Sequence, residues 1–99
     1  MADPALQVAR QETKIRNRAG MHARAAVKFV QLAGHFKSEV RVLKDGTSVN
    51  GKSIMGLLTL VAAAGLTITI EAEGPDASEA VVALAALVDS GFGEGVVDD

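Results

Sequence analysis

Leu66-Thr67-Ile68-Thr69-Ile70-Glu71-Ala72-Glu73 alternates apolar and polar residues at every step. Side chains of an extended strand point to opposite faces in turn. Leu66, Ile68, Ile70 and Ala72 therefore share one face, and Thr67, Thr69, Glu71 and Glu73 the other. Downstream the period changes. Asp76 opens a segment in which Ala80, Val81, Leu84, Leu87 and Val88 recur at helical spacing, and Gly91 ends it. Glu79 stands three residues after Asp76, in a capping-box-like arrangement. The tail from Phe92 to Asp99, with two glycines and a charged end, is expected to be mobile.

Upstream, the even positions from Arg10 to Arg16 are all charged, while Gln11, Thr13 and Ile15 fill the odd ones; this predicts a strand with one wet face. After the loop Asn17-Arg18-Ala19-Gly20, Ala23 to Ala33 reads as an amphipathic helix. Arg24, Lys28 and Gln31 form its polar stripe, Ala26, Val27, Phe29, Val30 and Ala33 lie largely opposite, and Gly34 ends it. Glu39 to Leu43 alternates again with Val40 and Val42 inward, and Asp45-Gly46 carries a hairpin signal before a returning strand from Thr47 to Asn50. Ser53 precedes Ile54-Met55-Gly56-Leu57-Leu58, a short helix with Ser53 at its N-cap. The order β-α-β-β-α-β-α predicts an α+β, two-layer fold: a four-stranded antiparallel sheet with three helices on one face. One domain over residues 1–99 is expected, with its core at about residues 9–91.

The 99 residues are 48% hydrophobic and 22% charged, enough for one core in a soluble chain. No cysteine is present, which excludes disulfides and thiolate metal sites and fits a reducing compartment. Met1-Ala2-Asp3-Pro4 lacks a basic stretch followed by an apolar one, so no signal peptide is expected. The apolar stretch from Ile54 to Ile70 is too broken by glycine and threonine for a membrane span. A cytoplasmic protein follows, with no membrane insertion. Residues 1–52 hold all ten Lys and Arg against four acids, and residues 53–99 hold eight acids and no base. That split suits a negative partner surface or a phosphorylated ligand, though solvated charges without a partner fit it too. Nucleic acid is the obvious rival, but without Trp or Tyr there is no aromatic stacking platform.

His22 stands where the first loop meets the first helix. The first turn of a helix leaves N–H groups unpaired and carries the positive end of the dipole, so an anion is stabilised there. Arg18 and Arg24 bracket the imidazole, whose neutral nitrogen is a competent nucleophile towards phosphorus. A surface histidine beside a helix start is the other reading of the same spacing. His35 follows Gly34 without companion ligands and reads as an ordinary surface residue; two histidines and no cysteine give no metal spacing. Ser53 is either a helix cap or a place where a phosphoryl group would be tolerated. No nucleotide loop, Gly-x-Ser-x-Gly elbow or His-Glu-x-x-His pair occurs, which argues against a self-contained hydrolase and calls for no cofactor.

Gly20-Met21-His22-Ala23-Arg24-Ala25-Ala26 resembles the active-site motif of HPr, the histidine-containing phosphocarrier family of the bacterial phosphotransferase system. Asn50-Gly51-Lys52-Ser53-Ile54-Met55-Gly56-Leu57-Leu58 is similar to that family's regulatory serine segment, and the element order agrees from about Arg10 to Ser90. The resemblance implies a carrier rather than an enzyme. Nδ1 of His22 would take a phosphoryl group from phospho-Enzyme I, ultimately from phosphoenolpyruvate, and pass it to an Enzyme II A-type domain. Arg24 would help hold and release that group, with Arg18 and Ala23 positioning it. Ser53 matches the position modified by an HPr kinase/phosphorylase in some bacteria. Met21, Lys28, Lys52 and Met55 would belong to the partner-docking surface of a monomer.

HPr proteins normally place proline directly after the arginine, where this chain has Ala25. Alanine is the best helix former, so the helix survives; the rigidity of the His22–Arg24 segment and the choice of partner become open. A sugar-transport carrier, a nitrogen-type paralogue and a regulatory module switched at Ser53 with little relay all remain compatible. A small-molecule-binding α+β domain with a basic ligand face explains the charge but makes the paired motifs a coincidence.

Overall fold

The alternation over 67–73 does form the centre of the sheet. A computed structural model describes residues 7–60 and 62–96. Its elements are β1 (Val8–Lys14), α1 (Ala23–Ala33), β2 (Glu39–Lys44), β3 (Thr47–Asn50), α2 (Ile54–Thr59), β4 (Thr67–Glu73) and α3 (Ala77–Asp89), followed by a 3₁₀ turn at Gly91–Gly93. The strands pair antiparallel in the order β1-β4-β2-β3, so β4 is flanked by β1 and β2. Thr13 stands opposite Ile68, Val42 opposite Ile70, and Val40 opposite Ala72, and all six are buried. On the other face Arg10 and Arg41 both stand opposite Glu71, and pair with it at 2.7 and 2.8 Å. The three helices cover the apolar face through Ala25, Ala26, Phe29 and Ala33 of α1, Leu57 of α2, and Ala77, Ala80, Val81, Leu84, Ala85 and Val88 of α3.

Local signals behaved as their chemistry requires. Asp45 and Gly46 both have positive φ, 50° and 80°, which is what a two-residue turn matched to strand twist demands. Ser53 caps α2, its Oγ accepting from the Gly56 N–H at 3.0 Å.

Other expectations need correction. β1 starts at Val8 rather than Arg10 and stops at Lys14, because its partner β4 extends pairing from Glu73 to Thr67. β2 and α2 each run one residue further than read, to Lys44 and Thr59, and β4 begins at Thr67. Gly34 does terminate α1, but with right-handed φ (−65°), so it acts without the left-handed conformation of a glycine cap. Val27 is exposed rather than inward. Asp76 makes no side-chain cap on α3. Its carboxylate instead accepts from Ser38 Oγ at 2.6 Å and from the Lys37 and Ser38 N–H groups at 2.9 Å, tying α3 to the segment that enters β2. Those bonds hold the carboxyl at a pKa of about 2, chiefly through Ser38 Oγ and the Lys37 N–H.

The expected mobile tail also starts too early. Phe92 is 1% exposed and is among the largest buried side chains. Its φ is +55°, a strained value for a side chain of this size, accepted because the ring fills the core. Residues 97–99 lie outside the described residues.

Candidate functional site

His22 is the N-cap of α1, extended at φ −90° and ψ −179°, so its ring folds back over the first turn. Nδ1 accepts from the Arg24 N–H at 3.2 Å, and the first ladder bond follows as Ala26 N–H to His22 C=O at 2.8 Å. The loop before it is held by close approach. Gly20 has φ +69°, and a Cβ there would sit 2.5 Å from the Ala62 carbonyl oxygen. Glycine is required at this point. The Met21 N–H donates to that same oxygen at 2.8 Å, fixing the histidine loop against the chain that follows α2.

The second imidazole nitrogen meets a residue that sequence reading assigned to the tail. His22 Nε2 lies 2.7 Å from Glu94 Oε2. The other Glu94 oxygen accepts from Asn17 Nδ2 at 3.0 Å, and the same amide donates to the Gly20 carbonyl at 2.8 Å. Asn17 is fully buried, and both donations fix which way its amide points. The Asn17 bond, and with it the bond to His22, hold the Glu94 carboxyl below the ordinary range against the opposing cost of burial. The Glu94 N–H closes a turn onto the Gly91 carbonyl at 2.9 Å, and Lys28 Nζ reaches the Phe92 carbonyl at 2.7 Å. Phe92 thus anchors the segment that carries Glu94.

Arg18, Ala19, Arg24, Lys28 and Glu94 line an open depression of about 350 Å³ beside the ring. Three cations and one carboxylate make it an anion-accepting surface beside the first turn of α1. Ala23 begins α1 with an exposed side chain, so only its backbone N–H could serve a ligand. His35 is exposed, and among the described residues no cluster of His, Asp and Glu could hold a metal ion.

The docking residues do not all gather here. Met21 is 5% exposed and belongs to the core, because its backbone is drawn in by Ala62; its side chain offers little to a partner. Lys52 donates to the Phe36 carbonyl at 2.8 Å, beyond the far end of α1. Ser53 stands at the N-cap of α2, its Oγ engaged by the Gly56 N–H. Met55, at 72% exposure, is the most open large apolar side chain among the described residues. Ile54 and Val27 are also exposed.

Asn17 and Glu94 were missed by sequence reasoning. The available signal was Phe92 between two glycines: an aromatic residue in a chain with only three is poorly explained as tail.

The fold and site define a class: an α+β sandwich presenting a histidine at a helix N-terminus beside a basic depression. Residues 9–90 match the family model described as the PTS HPr component phosphorylation site. The chain is 52% identical over 86 residues to the phosphocarrier protein HPr of Neisseria meningitidis serogroup A, covering 87% of this chain and 97% of that one. With the phosphocarrier protein HPr of Cupriavidus necator it shares 50% over 84 residues, 85% of this chain and 94% of that one. Among solved structures, HPr-C-His from Thermoanaerobacter tengcongensis superposes with a TM-score of 0.85 at 43% identity, covering 89% of this chain and 99% of that one. The chain belongs to the HPr family, phosphocarriers of the phosphotransferase system rather than enzymes. It is also 43% identical over 86 residues to the phosphocarrier protein NPr of Escherichia coli K12, 86% of this chain and 96% of that one. A solved HPr dimer from Thermoanaerobacter tengcongensis matches with a TM-score of 0.70 at 47% identity, covering 82% of this chain and 93% of that one.

Proposed function

We propose that this chain accepts a phosphoryl group on Nδ1 of His22 from phospho-Enzyme I, which draws it from phosphoenolpyruvate, and passes it to an Enzyme II A-type domain. The observation that carries the reading is the N-cap geometry of His22: Nδ1 lies over the first turn of α1, 3.2 Å from the Arg24 N–H. A phosphoryl group bonded to Nδ1 would face amide donors and the positive end of the helix, with Arg18, Arg24 and Lys28 bordering the same depression. Phosphoryl transfer asks mainly for positioning and charge stabilisation, and this arrangement provides both. The partners supply the remaining groups for each half-reaction. Exposed Met55, Ile54 and Val27 offer apolar contact area for docking, with Ser53 placed to modulate it by phosphorylation. We read the carrier as one cytoplasmic domain acting as a monomer, and sedimentation would distinguish that from a dimer.

The test is incubation with phosphoenolpyruvate and Enzyme I. The expected product carries one phosphate that survives alkali and is lost in acid, as a phosphoramidate does. His22→Gln abolishes it and His35→Gln leaves it intact. Label that persists in His22→Gln overturns the reading.

A further inference from the structure

Glu94 has no place in the reading above, yet it makes the shortest contact to the histidine. A neutral imidazole carries one proton, and the two hydrogen bonds of His22 decide where it resides. A carboxylate only accepts, so the 2.7 Å contact requires the proton on Nε2. A backbone N–H only donates, so the 3.2 Å contact from Arg24 requires a lone pair on Nδ1. Both contacts select the same tautomer. The carboxylate is itself held from behind by Asn17 Nδ2 and carried on a segment pinned by the Phe92 ring and by Lys28. The His22 and Glu94 side chains are 23% and 22% exposed, so water competes only partly for the pair.

From this we propose that Glu94 is a positioning residue for phosphoryl transfer, holding the proton on Nε2 so that Nδ1 is the nucleophile. The inference rests on the carrier reading of His22. In the forward step the Nδ1 lone pair forms the N–P bond while the donor's bond to phosphorus breaks, and that electron pair leaves with the donor. The proton stays on Nε2, the ring becomes cationic, and the Glu94 carboxylate balances it. The Arg24 N–H, no longer bonded to a lone pair, turns to a phosphoryl oxygen. In the return step a lone pair of the acceptor domain's nucleophile forms a bond to phosphorus as the N–P bond breaks. The N–P pair goes back to Nδ1, and the ring is left neutral with its proton still on Nε2. The carboxylate also repels the phosphoryl group, and Arg18, Arg24 and Lys28 around the same depression offset that repulsion.

Phosphoramidate, a small phosphoryl donor that needs no docking surface, tests this in the full-length chain. Proton NMR comes first: the parent is expected to show a downfield imidazole proton attached to Nε2 of His22, absent in Glu94→Ala and retained in Glu94→Gln. With phosphoramidate the parent should form Nδ1-phosphohistidine. Glu94→Ala should form it about tenfold more slowly, the loss expected for one charge-assisted hydrogen bond, with Nε2-phosphohistidine appearing beside it. Glu94→Gln, which keeps an acceptor but no charge, falls between. Asp89→Ala removes a carboxylate from the exposed pair with Arg16 and should match the parent. An Nε2 proton unaffected by Glu94→Ala, or the parent rate and product ratio in that variant, overturns the proposal. A parent that gives no phosphohistidine overturns the carrier reading and the proposal together, whereas a parent phosphorylated normally alongside an indifferent Glu94→Ala overturns the proposal alone.

Discussion

Replacing Phe92 by alanine tests whether the C-terminal turn belongs to the folded unit. An aromatic side chain buries about 150–250 Å², worth roughly 4–6 kcal/mol at about 25 cal/mol per Å². Alanine keeps the Cβ, and core Phe→Ala changes cost about 3–5 kcal/mol. At 1% exposure Phe92 belongs at that level. A domain of this size has about 5–15 kcal/mol of stability in all, so the variant still folds but weakly. Phe92→Gly supplies the internal control. Glycine is ordinarily less stable than alanine by about 0.5–1 kcal/mol. Here φ is +55°, where a Cβ costs about 1–2 kcal/mol, so the glycine variant should be at least as stable as the alanine one. Urea unfolding followed by far-UV circular dichroism is the assay, since the chain has no Trp or Tyr to report by fluorescence. With slopes of about 1–3 kcal/mol per M, the Phe92→Ala midpoint should fall by about 2 M. A loss below about 1 kcal/mol, or glycine trailing alanine by its usual margin, would refute the packing argument.

Ser53→Ala should cost about 1 kcal/mol by removing the acceptor for the Gly56 N–H, while Ser53→Asp should hardly move the unfolding midpoint yet slow phosphorylation by Enzyme I. Asp76→Ala carries a pH signature: the parent carboxyl titrates at about 2 when folded against an ordinary value of 3.8, so its stabilisation is complete above about pH 4 and is lost as pH falls through 2. The parent's advantage in thermal midpoint should therefore be full at pH 6 and shrink across that window; an advantage that persists at pH 1.5 would contradict the assignment. Ala25→Pro should stabilise by about 0.4–1 kcal/mol, because Ala25 is the third residue of α1 and its N–H lies ahead of the first ladder bond at Ala26. Since Ala25 is fully buried, a loss of about 1–3 kcal/mol would show instead that the ring meets packed neighbours.

What the sequence by itself determined is whatever a few neighbouring residues decide. Alternation over 67–73 set the wet and dry faces of β4, the Asp45-Gly46 pair set the hairpin, and the Ser53 and His22 positions set two helix starts. Period, turn conformation and capping act over one to four residues, so they can be read in a line of text. The partner of Glu94 could not be read that way, because 72 residues separate it from His22 and the buried Phe92, with Lys28 and Asn17, brings them together. Asp76 matched a cap signature but bonds 38 residues away to Ser38, its carboxylate taken up by three donors at the entrance to β2. Met21 and Lys52 carried the right motifs, yet one is drawn into the core by Ala62 and the other reaches Phe36 beyond the far end of α1. Such contacts depend on how helices pack across the sheet, and packing is a property of the assembled core rather than of any segment in it.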